Sequence, residues 1–178
     1  MKSDRELIEL ANQGDPDAFA ALYNRYRDWV YRLACRFTGN QQDALDVLQE
    51  TFTYLLGKFP GFALTAAMTT FLYPTVKHLS RTIRAKKNRF TSDNEVSCEL
   101  VATGSEEPTD PSRSELATVI SILSDESREI LLMRFVDDMS LQEIATALDI
   151  PIGTVKSRLH RALRTLRDDR RTRDYFLP

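Results

Sequence analysis

Residues 140–166 read SLQEIATALDIPIGTVKSRLHRALRTL, and the spacing of apolar residues in this stretch predicts two helices in close succession. Ser140 and Glu143 form a capping box in front of a helix over Leu141–Leu148. A second helix is predicted over Thr154–Arg170, so that only Asp149–Gly153 connect the two. Such a short connection between two packed helices is typical of a helix-turn-helix.

The second of these helices has one apolar face and one basic face. Its apolar residues recur at spacings of four, three and four, at Val155, Leu159, Ala162 and Leu166. The opposite face carries Ser157, Arg158, Arg161 and Arg164. Arginine can bind guanine through two hydrogen bonds, and lysine neutralises phosphates. A solvated basic helix is the alternative, but the helix-turn-helix pattern favours binding to duplex DNA.

Helical periodicity extends over most of the remaining chain. The amino-terminal part is predicted to hold a short helix between the Ser3–Glu6 capping box and Gly14, a long helix between Asp15 and Gly39, a third over Gln41–Lys58, and a fourth from Thr65 to about Arg89 that Pro74 interrupts or kinks. Two further helices are predicted over Arg113–Leu123 and Ser127–Phe135.

The stretch over residues 91–112 differs in composition from both flanks. It contains six acidic residues, no basic residue, two prolines and no sustained helical or strand period. We interpret it as a flexible acidic linker. The predicted fold is therefore all-α, with two small helical domains at residues 1–90 and 113–178, the second of which is a helix-turn-helix.

The composition excludes several broad classes of protein. The 178 residues include 24 Lys and Arg, 26 Asp and Glu, and two Cys, which is neither collagen-like nor wholly disordered composition. Two cysteines cannot form a disulfide framework, so a reducing compartment is expected, with the cytoplasm as the default. No stretch approaches the roughly 20 apolar residues that cross a bilayer, so no membrane insertion is expected.

Residues that carry enzymatic chemistry are not grouped in this sequence. Neither His78 nor His160 has companions at metal-ligand spacing, and there is no glycine-rich phosphate loop. We therefore expect no metal, no cofactor, no small-molecule substrate and no catalytic site.

The predicted helix over Gln41–Lys58 has an acidic face. A helical wheel puts Leu45, Leu48, Phe52 and Leu55 on one face and Asp43, Asp46, Gln49 and Glu50 on another. Such a cluster of carboxylates is either a solvated surface or a docking face for a basic partner.

The segment from Lys77 to Arg89 is basic, and the aromatic residues Phe71 and Tyr73 lie just ahead of it. Cations interleaved with aromatic rings suit melted or single-stranded DNA, in which bases stack on the rings. The alternative assigns the rings to the core and the cations to a solubilising surface.

Two segments resemble a known family. Residues 13–52, QGDPDAFAALYNRYRDWVYRLACRFTGNQQDALDVLQETF, resemble the core-binding part of bacterial sigma factors. LSDESREILLMRF, from Leu123, and the stretch from Ser140 to Arg167 resemble their carboxy-terminal helix-turn-helix. Two domains with a linker and no third domain between them match the extracytoplasmic-function (ECF) type.

The resemblance implies a factor that binds core RNA polymerase and directs promoter-specific initiation. Docking on the clamp helices of the polymerase β′ subunit would involve Asp43, Asp46, Gln49, Glu50 and Phe52. The minus-thirty-five element would be read by Thr154, Lys156, Ser157, Arg158 and Arg161. The minus-ten element would be met by Phe71, Tyr73, Lys77, His78, Arg81 and Arg84. Here Pro74 and His78 depart from the usual family pattern, which bears on promoter melting.

An anti-sigma factor that binds between the two domains is a further expected partner. Two other functions are open from the residues. One is a free-standing helix-turn-helix regulator that binds an operator without polymerase. The other is a sigma mimic that sequesters an anti-sigma factor and melts no DNA.

Overall fold

A computed structural model describes residues 2–90, 118 and 120–169, with the backbone alone for residues 88–90. The chain divides into two compact units, Met1–Thr103 and Gly104–Pro178. Helices are the only regular elements in the described parts, which confirms the all-α prediction. The predicted linker over residues 91–112, most of the predicted helix Arg113–Leu123 and the residues from Arg170 onward lie outside the described residues.

Over residues 2–90, the first unit contains four helices: α1 (Asp4–Asn12), α2 (Pro16–Thr38), α3 (Gln41–Leu56) and α4 (Met68–Phe90). Local sequence explains where they begin and end. Ser3 forms the predicted capping box with Glu6, and Asp15 caps α2 ahead of Pro16. After α2, Gly39 adopts a left-handed conformation with φ of 78°, which costs glycine little because it has no Cβ.

The bounds of α3 and α4 differ from the prediction. Helix α3 ends two residues before Lys58, and α4 begins at Met68 instead of Thr65. Helix α4 also continues through Pro74 without interruption. A proline inside a helix costs about 3 kcal/mol. Burial of Leu72, Tyr73 and Val76 on either side of the proline offsets this cost by holding the segment in the helix.

The core of the first unit lies where α2 packs against the other three helices. One cluster joins α1 to the beginning of α2 through Leu7, Ile8, Ala11, Ala18 and Leu22, and Phe59 and Phe62 from the loop after α3 pack against it. Further along, buried residues of α2, α3 and α4 meet, including Val30, Leu33, Val47, Leu55, Leu72 and Val76. This packing sets which side of α3 and of α4 is exposed.

The second unit contains α5 (Asp125–Phe135), α6 (Leu141–Leu148) and α7 (Ile152–Asp168), and α5 and α6 both pack on α7. The predicted Ser140–Glu143 capping box begins α6. Asp149 ends α6 in the left-handed conformation, with φ of 53° and ψ of 48°. Helix α7 begins two residues before the predicted Thr154. The helix-turn-helix geometry is therefore present in the described residues.

Candidate functional site

The exposed side of α3 carries part of the predicted acidic face. Asp46, Gln49 and Glu50 are all exposed. They follow one another at spacings of three and one, which keeps them on the solvent side of the helix. This side therefore presents two carboxylates and an amide to solvent.

Asp43 does not belong to this exposed face, contrary to the expectation from the helical wheel. Its side chain is only 3% exposed and forms an ion pair with Lys87 of α4. Asn40 donates from Nδ2 to Oδ2 of Asp43 at 2.6 Å, and the Asp43 amide donates to Oδ1 of Asn40 at 2.8 Å. Burial raises the pKa of this carboxyl, but the hydrogen bonds from Asn40 and Lys87 and the charge of Lys87 outweigh it, so the pKa is lowered. Packing of α4 against α3 thus withdraws Asp43 from solvent.

The predicted apolar face of α3 is only partly buried: Phe52 and Leu55 are buried, Leu48 is half-buried and Leu45 is exposed. The side that packs inward carries Ala44, Val47, Thr51 and Leu55, whereas Leu45 is 48% exposed. Small side chains at three of these four positions let the neighbouring helices approach closely. Leu45 and Leu56 are left exposed, beside an open groove that we call the α2–α3 groove. Its lining comprises Phe19, Tyr23, Leu45, Leu48, Gln49, Phe52, Thr53 and Leu56.

Phe52 forms the buried floor of the α2–α3 groove. It is 5% exposed, and its ring meets that of Tyr23 edge-on with centroids 4.7 Å apart. The resemblance placed Phe52 in the docking set, and the structure places it beneath the surface that a partner would meet.

The basic residues predicted on α4 share one side of that helix. His78, Arg81 and Arg84 are exposed, and Lys77 is half-buried beside them. Their spacings of three and four keep them together. Arg84 also donates from Nη1 to the carbonyl of Phe37 at 3.2 Å, at the end of α2. No acidic residue occurs anywhere in α4, so the lysine and arginines on this side carry positive charge with no negative charge from the same helix.

The two aromatic residues ahead of this basic side have different surroundings. Tyr73 is 1% exposed and meets Phe37 edge-on, with ring centroids 5.9 Å apart. It is a core residue, so its ring is not available for base stacking in this structure. Phe71 is half-buried and lies parallel to Tyr54, with centroids 6.1 Å apart. Sequence reasoning missed Tyr54 because its pairing with Phe71 depends on how α3 and α4 pack.

Helix α7 presents most of its predicted contact residues to solvent. Lys156, Ser157 and Arg161 are exposed, and so are His160 and Arg164. Thr154 is half-buried, and its carbonyl accepts a hydrogen bond from Oγ of Ser157 at 3.0 Å. The buried side of α7 holds Val155, Ala162 and Leu166 of the predicted apolar stripe, with Leu159 half-buried.

Arg158 differs from its neighbours on α7. It is half-buried, and its Nη2 lies 2.8 Å from Oε2 of Glu126 at the start of α5. It therefore lies at the edge of the exposed basic side instead of at its centre.

Two other features bear on the functional class. Among residues 2–87, 118 and 120–169, no group of three or more His, Cys, Asp and Glu side chains could hold a metal ion. In the described parts of the chain, each helix is too short or too polar to cross a membrane.

Comparisons with known proteins identify the family. The sequence model of sigma-70 region 2 matches residues 22–90, and that of sigma-70 region 4 matches residues 113–166. The chain is 32% identical over 176 residues to the ECF RNA polymerase sigma factor SigW of Bacillus subtilis (strain 168), covering 92% of this chain and 94% of that protein. It is 30% identical over 174 residues to the RNA polymerase sigma-H factor of Pseudomonas aeruginosa, covering 90% of each.

Solved structures agree on the fold. CnrH, determined in complex with the cytosolic domain of CnrY, superposes with a TM-score of 0.65 at 21% identity and covers 92% of this chain and 94% of CnrH. The sigma factor RpoE of Bartonella quintana, determined in complex with the anti-sigma factor NepR, gives a TM-score of 0.64 at 20% identity over 84% of this chain and 94% of RpoE. From the sequence matches, this chain belongs to the ECF family of RNA polymerase sigma factors.

Proposed function

We propose that this sigma factor docks on the clamp helices of the polymerase β′ subunit through the exposed side of α3. The observation that carries the proposal is the segregation of charge within the first unit. Asp46 and Glu50 are exposed on α3, whereas α4 exposes arginines and lysines and contains no acidic residue. Because the two surfaces differ in charge, the acidic side of α3 suits a basic protein partner, and the basic side of α4 suits nucleic acid.

The α2–α3 groove adds an apolar component to this docking surface. Leu45 and Leu56 are 48% and 53% exposed, beside the exposed Gln49. Burial of apolar area supplies affinity, and the flanking carboxylates supply orientation toward a basic partner. In this account Asp46, Gln49 and Glu50 touch polymerase, while Phe52 supports the groove from beneath and Asp43 contributes only through Lys87.

For the minus-thirty-five element, we propose that α7 enters the major groove of duplex DNA. A recognition helix contacts base edges mainly with residues near its amino terminus. Lys156, Ser157 and Arg161 satisfy this by their position and exposure, with Thr154 and Arg158 at the margin of the contact. Arg164 and Arg167, further along the helix, suit the phosphate backbone.

For the minus-ten element, we propose that the basic side of α4 binds melted DNA. Lys77, His78, Arg81 and Arg84 would contact phosphates or bases, and the half-buried Phe71 would supply an aromatic ring. Tyr73 would act only by supporting the helix from the core. Pro74 and His78 lie on this same helix, where the sequence departs from the family pattern.

The domain assignment follows from these contacts. Residues 1–90 would bind core polymerase and the minus-ten element, residues 113–178 would bind the minus-thirty-five element, and residues 91–112 would link them. We further propose regulation by an anti-sigma factor, supported by the solved complex of RpoE with NepR. The protein would act in the cytoplasm as a specificity subunit that makes and breaks no covalent bond itself.

A transcription experiment tests the docking proposal. Purified protein is added to bacterial core RNA polymerase with genomic DNA, and the 5′ ends of transcripts are mapped. We expect discrete start sites that Asp46→Arg abolishes, because a cation replaces a carboxylate at the docking surface. Glu9→Arg makes the same charge change on the exposed side of α1 and should leave the start sites intact.

The other outcomes identify the rival functions. Binding to core polymerase without start sites would favour the sigma mimic that sequesters an anti-sigma factor. Absence of binding to core polymerase would favour the free-standing helix-turn-helix regulator.

A further inference from the structure

The carboxy-terminal part of α4 has few apolar contacts to hold it in place. Val76 is fully buried, but Leu79 and Ile83 are only half-buried. From residue 84 to residue 87 all four side chains are exposed. Over residues 84–87, hydrophobic packing therefore does not fix the direction of the helix.

Among residues 84–87, Arg84 and Lys87 make polar interactions that connect this part of α4 to the rest of the first unit. The Arg84 guanidinium donates to the carbonyl of Phe37 at 3.2 Å. The Lys87 ammonium forms an ion pair with the Asp43 carboxylate. They reach different helices, since Phe37 belongs to α2 and Asp43 to α3, and together they restrain the helix end in two directions.

Of the two ends of the Asp43–Lys87 ion pair, Asp43 is the fixed one. Its side chain is 3% exposed, whereas that of Lys87 is 58% exposed. Two hydrogen bonds with Asn40 hold the carboxylate and its backbone at the first turn of α3. A buried carboxylate in a set position strongly favours a cation beside it, so the ion pair selects the placement of Lys87 and of the helix that carries it.

We propose that Asp43 is a positioning residue for DNA binding: through its ion pair with Lys87, it fixes the basic side of α4 relative to α3. Asp43 then touches neither polymerase nor DNA. This inference rests on the proposed function, in which α3 docks on polymerase and α4 binds the minus-ten element. In this inference, the Asp43–Lys87 ion pair directly connects the polymerase-docking helix α3 to the DNA-binding helix α4.

The length of the helix shows why the restraint matters. At 1.5 Å per residue, Lys87 lies about 16 Å along α4 from the fully buried Val76. Arg81 and Arg84 lie between these two points. Release of the far end would let both guanidinium groups move relative to a promoter held on the polymerase, so fewer of them would meet phosphates at once.

A double-mutant cycle tests the proposal in the holoenzyme. The variants are Asp43→Asn, Lys87→Met and the pair, assayed with core polymerase on a promoter fragment taken from the mapped start sites. Permanganate reactivity of unpaired thymines reports promoter opening, and fluorescence anisotropy reports the affinity for core polymerase. Each single substitution should reduce opening by about 5-fold, and the pair should reduce it no further, because both remove one interaction.

Two control variants distinguish loss of the Asp43–Lys87 ion pair from loss of any positive charge on α4. Lys87→Arg retains a cation that can reach Asp43 and should restore most of the opening. Lys86→Met removes the same charge from an adjacent exposed lysine. Its effect should be smaller, about 2-fold, and should multiply with that of Asp43→Asn. Affinity for core polymerase should stay within about 2-fold of wild type in every variant.

Several results would overturn the proposal. Multiplicative losses for Asp43→Asn and Lys87→Met would show independent roles, and weaker core binding by Asp43→Asn would return Asp43 to the docking surface. The test does not need Asp43→Asn if that variant fails to fold, because Lys86 and Lys87 are both exposed. In that case, equal losses of promoter opening for Lys87→Met and Lys86→Met would contradict the positioning role of Asp43. A wild-type protein that binds core polymerase but opens no promoter would instead remove the proposed function of α4.

Discussion

The side chain of Arg128 in α5 holds the chain segment that leads into this helix. Its guanidinium donates to the carbonyls of Ile120, Ser121 and Leu123 at 3.1, 2.7 and 2.8 Å, and to the carboxylate of Asp125 at 3.1 Å. These carbonyls lie just ahead of α5, where the chain turns. One planar fork therefore satisfies acceptors that water would otherwise have to reach.

We expect Arg128→Met to lower the free energy of unfolding by about 2–3 kcal/mol, because charge-assisted hydrogen bonds are lost and carbonyl groups are left without a donor. Urea titration of the full chain, monitored by circular dichroism, measures this free energy of unfolding. Arg164→Met is the matched control, since the Arg164 side chain is 76% exposed and its Nε lies 3.8 Å from Oδ2 of Asp168. It should cost less than about 0.5 kcal/mol. Equal losses would contradict the role assigned to Arg128.

The Asp43 carboxylate gives the first unit a pH-dependent contribution to stability. Its folded pKa is lowered, so the contribution is fully present above the unfolded-state pKa and is lost as the pH falls through the folded pKa. The groups that face it are Asn40, which caps its own helix, and Lys87 of α4.

At neutral pH, Asp43→Asn should therefore be less stable than wild type by about 1–2 kcal/mol, a moderate value because water screens the exposed Lys87. The difference should shrink as the pH is lowered from about 5 toward 3. Urea titrations across this range, with wild type and variant in parallel, measure the gap. A gap that does not change with pH would show that the charge of Asp43 contributes nothing to folding.

At the scale of elements, the turn between α6 and α7 depends on a left-handed residue. Asp149 adopts φ of 53°, and the amide of Ile150 donates to the carbonyl of Ala145 at 3.0 Å to close the turn. Left-handed backbone costs most residues about 1–2 kcal/mol, less for aspartate and least for glycine. The turn therefore fixes how α7 leaves α6 and which side of α7 faces outward.

We expect Asp149→Gly to raise the free energy of unfolding slightly, by about 0.5 kcal/mol, and Asp149→Val to lower it by about 1–2 kcal/mol. The measurement is chemical denaturation of the full chain. Affinity for duplex promoter DNA should be highest for Asp149→Gly, intermediate for wild type and lowest for Asp149→Val. Asp149 itself contributes no cation to the DNA contact. A valine variant as stable as wild type would show that the turn can form without a left-handed residue.

At the scale of the whole molecule, charge is distributed unevenly along a chain whose net charge is only −2. Helices α4 and α7 expose cations, while six acidic residues and no basic residue occur in residues 91–112. Negative charge on the same chain competes with phosphate for these cations within a Debye length of about 10 Å at 0.1 M salt.

Replacing those six acids by their amides should therefore tighten binding of the free protein to random-sequence duplex DNA by about 3-fold at low salt. Anisotropy titrations at two salt concentrations measure the effect, which should diminish at the higher salt because screening weakens it. Unchanged affinity at low salt would exclude shielding by this segment.

Local chemistry explains what the sequence determined by itself. The capping boxes at Ser3 and Ser140, the proline that follows Asp15 and the left-handed residue at Asp149 all specify helix ends through groups within a few residues. The apolar stripe of α7 was equally clear, because only one side of that helix is apolar. These features suffice for an all-α fold with a carboxy-terminal helix-turn-helix.

Only the tertiary structure decided how α3 is rotated. That helix has two apolar arcs with helical spacing, one with the small residues Ala44, Val47 and Thr51 and one with Leu45, Leu48 and Phe52, and periodicity alone cannot choose between them. Close packing of α2 and α4 buried the small arc and buried Asp43 beside Lys87, whereas in the other arc Phe52 is buried, Leu48 is half-buried and Leu45 is exposed. Likewise Tyr73 is a core residue because of its distant neighbour Phe37. Which side of a helix is buried depends on partners far along the chain, and local sequence does not encode them.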